Sequence, residues 1–163
     1  MKRSTAWKGW IGSIWALSLV LVAAAAPGPL PYDEKADAAA ALQQGLKTAQ
    51  AKHKDVLVIF GANWCPDCRE LDQALHRSDS KLIDSHFVVV KIDIGNWDHN
   101  LELAKRYGNP ISKGIPAAVV LSPKDELLYA TKAGELANAR RMSDQSIYDF
   151  FTKVISDTHP HGA

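Results

Sequence analysis

Two short stretches of the chain are apolar with almost no alternation, Val56-Leu57-Val58-Ile59-Phe60 and Phe87-Val88-Val89-Val90-Lys91-Ile92. Runs of this length, rich in β-branched residues, are the pattern of strands buried on both faces. The segment between them, Cys68 to about Arg77, reads as helix, which makes a β-α-β unit with a parallel strand pair and a right-handed crossover. Upstream, the Ala/Leu/Gln/Lys-rich stretch from Asp33 to about Lys54 predicts a helix with Leu42, Leu46 and Ala49 on one face. Downstream, Asp98 to Tyr107 predicts a short helix, opened by Asn96 or Asp98 and stopped by Gly108-Asn109-Pro110. Ala117 to Leu121 and Leu127 to Thr131, separated by Ser122-Pro123-Lys124-Asp125-Glu126, predict an antiparallel hairpin. Ser143 caps a last helix in which Ile147, Phe150, Phe151, Val154 and Ile155 fall at helical spacing. The order helix, β-α-β, helix, β-β, helix predicts an α/β fold: a mixed four-stranded sheet with helices on both faces.

The first 26 residues follow a different pattern. Lys2, Arg3 and Lys8 precede an uncharged apolar run from Trp10 to Ala26 that ends in four alanines, the layout of a secretory signal cut near Ala24 to Ala26. The alternative is an uncleaved anchor, since a 17-residue run lies at the short end of what spans about 30 Å of hydrocarbon. Either reading places the body of the protein outside the cytoplasm; the periplasm is the compartment expected, and membrane anchoring the alternative. Residues 27–32, Pro-Gly-Pro-Leu-Pro-Tyr, read as an extended linker. Residues 33–156 are expected to form the domain, and 157–163 a flexible tail.

Charge narrows the function. The whole chain carries +1, and the part after the basic N-terminal segment carries −2, so there is no polybasic footprint for nucleic acid. The six His are scattered, and the closest pair, His159 and His161, falls in the expected tail.

The two Cys of the chain are three apart, in Cys65-Pro66-Asp67-Cys68, where the first buried strand gives way to a helix. At a helix start, free N–H groups and the positive end of the macrodipole favour an anion, so Cys65 is the candidate nucleophile. Cys68, one turn further on, can attack a mixed disulfide formed at Cys65. Pro66 suits the first helical turn because its missing N–H would have no partner there. Asp67 places a negative charge in that turn, which opposes a Cys65 thiolate and favours a reducing rather than an oxidising pair. A purely structural disulfide would constrain only a two-residue loop and contribute little. A zinc site lacks a second ligand pair, and Arg69 stands where a haem-attachment motif needs His, so no metal or cofactor is expected.

The segment Trp64-Cys65-Pro66-Asp67-Cys68 after Phe60-Gly61-Ala62-Asn63, with Gly114-Ile115-Pro116 downstream, resembles the thioredoxin superfamily over residues 33–156. The resemblance implies a thioredoxin-like fold and dithiol-disulfide exchange, with Cys65 attacking and Cys68 resolving. It implies a cis peptide bond before Pro116, which faces the Cys pair beside an exposed Ile115, and a substrate backbone laid along Trp64, Ile115 and Pro116. It implies protein thiols and disulfides as partners, including a thiol protein that supplies or accepts electrons. The function expected is therefore an extracytoplasmic thiol-disulfide oxidoreductase that reduces protein disulfides. The alternative is a binding or electron-transfer adaptor on the same fold, docked to one membrane partner. One position departs from the family: Ile59 stands where many members carry a buried Asp that helps move the proton of the second Cys. Lys91 matches the partner Lys of that Asp, and Asp67, Glu70 and Asp93 are candidate proton acceptors.

Overall fold

In the computed structural model, which describes residues 30–77 and 80–159, every position of β1 (Asp55–Gly61) is buried. Side chains alternate across a strand, so this burial needs a cover on each face. Val56, Val58 and Phe60 pack on one side with Leu42, Leu46 and Ala49 of α1 (Ala38–Lys52). Leu57 and Ile59 pack on the other with Leu71 and Leu75 of α2 (Pro66–Arg77), Ile83 of α3 (Ser80–His86), and Ile147, Phe151 and Val154 of α5 (Asp144–Thr158).

The sheet has the order β2-β1-β3-β4. β2 (Phe87–Asp93) runs parallel to β1, while β3 (Ala117–Leu121) is antiparallel to β1 and to β4 (Leu127–Ala130). A parallel neighbour brings its C-terminal end to the C-terminal end of β1, and an antiparallel neighbour brings its N-terminal end there. Gly61 therefore faces Asp93 in register, and Phe60 faces Ala117, the residue after Pro116. Three distant segments meet at one edge of the sheet for this reason alone.

The mixed four-stranded sheet with helices on both faces is as the pattern predicts, with differences at element ends and in β2. That strand is not buried on both faces as its apolar run implies: it is an edge strand, and Val88, Val89 and Lys91 are only partly buried. α1 begins at Ala38 and not near Asp33, because the Asp37 carboxylate accepts the Ala40 N–H at 3.0 Å and caps it. The short helix α4 spans Leu101–Arg106, and neither Asn96 nor Asp98 caps it. The Asp98 carboxylate instead accepts the Asn96 N–H at 2.8 Å, which holds the loop before the helix. Ser143 caps α5 as expected, accepting the Ser146 N–H at 3.1 Å. α3 and two single-turn 3₁₀ segments, Pro110–Lys113 and Ala139–Arg141, have no counterpart in the predicted order.

Both ends of the folded body reach beyond the expected boundaries. Tyr32, read from sequence as the last linker residue, is 3% exposed and belongs to the core. Asn63 holds it there with two bonds: its Oδ1 accepts the Tyr32 N–H at 3.0 Å, and its Nδ2 donates to the Tyr32 carbonyl at 2.8 Å. At the other end α5 runs to Thr158, and His159 Nε2 lies 2.7 Å from Oδ2 of Asp55, which is buried at the start of β1. The first two positions assigned to a flexible tail are thus helical, and the third is tied to the sheet. The expected signal or anchor, residues 1–26, lies outside the described residues. Among the described residues no helix is long and apolar enough to cross a membrane.

Candidate active site

After Gly61 the chain turns through Ala62-Asn63-Trp64 and enters α2 at Pro66. The turn is closed by the Cys65 N–H, which donates to the Ala62 carbonyl at 3.1 Å, and the Cys65 carbonyl accepts the Arg69 N–H at 3.2 Å. Cys65 thus occupies the position just before the helix, and Pro66 its first residue, where no N–H is required. Cys65 and Cys68 are joined in a disulfide with their Cα atoms 5.3 Å apart. The Cys68 N–H points at the Cys65 sulfur from 3.2 Å, the contact that stabilises a thiolate when the bond opens. Cys65 is 4% exposed and Cys68 fully buried, so attack from solvent reaches Cys65 first.

The antiparallel start of β3 sets Ile115 and Pro116 against this disulfide. The Ile115 carbonyl oxygen is 3.7 Å from the Cys65 sulfur, and the Ile115–Pro116 peptide bond is cis. The Ile115 side chain is buried at 6% exposure and not exposed as the resemblance implies, because it turns into the core that also holds Ile111 and Tyr107. Its main-chain carbonyl borders the Cys65 sulfur. Trp64 stands on the rim, half exposed, with its indole N–H donating to the Gly95 carbonyl at 2.8 Å. Trp97, on the loop after β2, is a second exposed indole near this edge, with a left-handed φ of 67°. It is absent from the candidates read from sequence, though a Trp within the polar turn Gly95-Asn96-Trp97-Asp98 has no apolar pattern to bury it.

The charged candidates separate. Asp67 does not act as an isolated charge: its Oδ1 accepts the Arg140 N–H at 3.0 Å and its Oδ2 lies 3.3 Å from the Arg140 guanidinium. The simple picture of Asp67 opposing the Cys65 thiolate is therefore tempered by a paired cation. Glu70 is bound to Arg77 at 2.9 Å, on the exposed side of α2. Asp93 is buried opposite Gly61 and accepts the Gly95 N–H at 2.7 Å. Ile59 is an ordinary core residue, and Lys91, its register partner, pairs with the carboxylate of Asp72. Asp72 too is absent from the sequence candidates, although its place one helical turn after Cys68 puts it on the same face of α2.

Gly61 makes the centre of the site possible. A Cβ there would overlap the Tyr32 hydroxyl, lie 2.5 Å from the Tyr32 Cζ and 3.0 Å from the Cys68 sulfur. Any larger residue would displace one of them. Burial, with the nearby negative charges of Asp72 and Asp93 adding to it, pushes the Tyr32 phenol well above its ordinary value, so it stays protonated.

Comparison with known proteins agrees with this geometry. A thioredoxin-like family profile matches residues 37–123. The structure of a disulphide isomerase from Xylella fastidiosa Temecula1 is 55% identical, covering 78% of this chain and 98% of that one, with a TM-score of 0.76. The germline-specific thioredoxin Deadhead of Drosophila melanogaster is 25% identical over 66% of this chain and 88% of its own, with a TM-score of 0.45. A thioredoxin from Thermus thermophilus is 24% identical over 69% of this chain and 80% of its own, with a TM-score of 0.48. No curated protein matches the chain. With a Cys pair at the start of α2, a four-stranded mixed sheet behind it and the Xylella relative at more than half identity, the chain belongs to the thioredoxin-like family and is a thiol-disulfide oxidoreductase.

Proposed function

We propose that the protein reduces protein disulfides outside the cytoplasm. The Cys65 thiolate attacks a disulfide of the substrate, one substrate sulfur leaves as a thiolate and takes a proton from water, and a mixed disulfide remains at Cys65. Cys68 then attacks the Cys65 sulfur, the second substrate thiolate leaves, and the two electrons of the dithiol have passed to the substrate. Trp64 and the main chain at Ile115-Pro116 border Cys65 and serve as the bed for an extended substrate segment. Pro66 and Asp67 tune the pair. A thiol protein restores the dithiol. The Xylella relative is a disulphide isomerase, which supports protein disulfides as the substrate class.

The observation that carries the direction is the acidic, buried setting of the sulfurs. Asp67, Asp72 and Asp93 lie around a pair that is nearly inaccessible to water, with Arg140 paired to Asp67 and Lys91 to Asp72. Burial and net negative charge both disfavour thiolate, which destabilises the reduced form and makes the protein a better reductant. The extracytoplasmic location rests on the layout of residues 1–26.

Changing Cys68→Ser leaves Cys65 unable to be displaced from its mixed disulfides, so substrates accumulate as covalent adducts identifiable by mass spectrometry. Absence of adducts that depend on Cys65 sinks the reading. Equilibration with glutathione should give a potential nearer the approximately −270 mV of thioredoxin than the approximately −120 mV of DsbA. A value near the latter reverses the direction. N-terminal sequencing of the mature protein checks for a cut near Ala24 to Ala26.

A further inference from the structure

The Tyr32 hydroxyl is buried at the centre of the site, yet it has no hydrogen-bond partner among the described residues. A buried hydroxyl without a protein partner is uncommon, and it is a donor free to meet a group that becomes an acceptor in another state of the protein. The atom of the redox centre that shares its pocket is the Cys68 sulfur, since both crowd the same face of Gly61. Asn63, two residues before Cys65, clamps the Tyr32 main chain on both sides and fixes the ring in that place.

We propose that Tyr32 is the hydrogen-bond donor that receives the Cys68 sulfur when the disulfide opens, holding it as the thiolate that resolves mixed disulfides. This role rests on the exchange chemistry proposed above. In the resolving step the Cys68 thiol releases its proton to water and the Tyr32 O–H donates to the sulfur left behind. That sulfur attacks Cys65, the Cys65–substrate bond breaks, and the substrate thiolate is protonated from water. Tyr32 keeps its own proton throughout. Its phenol is raised by burial and by neighbouring carboxylates, which suits a donor and excludes a base.

The charges around Cys68 explain the need for such a donor. Asp72 comes from α2, Lys91 and Asp93 come from β2, Asp67 with Arg140 lies at the start of α2, and Glu34 is held by Asn63. β1 and β3 contribute no charge at this end. Carboxylates outnumber cations, so a Cys68 thiolate is disfavoured unless a neutral donor faces it. Ile59, the β1 residue two before Gly61, is apolar and offers none.

The test is Tyr32→Phe, which keeps the ring and removes only the hydroxyl. The donor stabilises the reduced form alone, so its loss should shift the glutathione equilibrium about tenfold toward the disulfide, a potential about 30 mV lower. Release of a model thiol from a mixed disulfide at Cys65 should slow about tenfold near neutral pH, and its pH midpoint should rise by about one unit. Thermal unfolding of the oxidised form should be unchanged or higher, because an unpaired hydroxyl is gone. An unaltered potential and pH profile in a folded variant overturns the proposal. So does a variant that no longer folds in the oxidised form, since the hydroxyl would then have a structural partner. Both readouts use the purified protein with glutathione, so failure to reduce any protein substrate would count against the proposed function and leave the role of Tyr32 standing.

Discussion

At the scale of single residues, pairing decides what a charge does. Asp67 is 14% exposed at its side chain and shares its carboxylate between the Arg140 N–H and guanidinium, while the Arg140 side chain is 58% exposed. A carboxylate held this way still biases the Cys65 thiolate, but with part of its field cancelled and part screened. Asp67→Asn retains an acceptor for the Arg140 N–H and removes the charge. It should speed attack by Cys65 on a model disulfide about two- to fivefold near neutral pH by raising the thiolate fraction. Arg140→Ala should act in the opposite sense. Stopped-flow exchange kinetics with both variants read the two signs, and equal rates in all three proteins would remove Asp67 from the set of tuning residues.

At the scale of elements, the same composition that makes α1 helical leaves its start undefined. Alanine-rich sequence propagates a helix readily, but the first turn has N–H groups that need acceptors, and Asp37 supplies one from an exposed position. Asp37→Ala should destabilise the protein by about 1 kcal/mol and lower the melting temperature by about 4 °C, read by calorimetry, with no change in redox potential. α2 shows the converse case. Its start is defined by Pro66 and by the turn into Cys65, so the boundary and the nucleophile are one feature of the chain.

At the scale of the whole molecule, the sheet is closed at both ends of the chain by side chains that sequence places in loose segments. Tyr32 is locked under the Cys pair by Asn63, and His159 faces the buried Asp55 across 104 residues of chain. Removing the imidazole leaves a buried carboxylate with no partner from this helix, so His159→Ala should cost about 1–3 kcal/mol, measured as a lower urea midpoint. The redox potential should not follow, because Asp55 lies at the opposite end of β1 from Gly61. A midpoint equal to that of the parent protein would show that the contact contributes nothing to stability.

What the chain determined by itself is what local pattern controls. The unbroken apolar run at Val56–Phe60 marks a strand covered on both faces, and the spacing Cys65-Pro66-Asp67-Cys68 at a strand-to-helix turn marks exchange chemistry, because both depend on neighbours a few residues away. The like run at Phe87–Ile92 marks a strand but not its place at the sheet edge, where Val88, Val89 and Lys91 are only partly buried. Tertiary structure alone decided the surroundings of the sulfurs. The order β2-β1-β3-β4 brings Asp93 and Pro116 to Gly61, and packing of the 3₁₀ turn at Ala139–Arg141 brings Arg140 to Asp67 across 73 residues. No local preference records such meetings. Tyr32 shows the limit most plainly: three prolines ahead of it signal an extended segment, and that conformation is compatible with either an exposed linker or a buried clamp. The choice between them lies with Asn63 and Gly61, one supplying the bonds that hold the segment and the other the space for its ring.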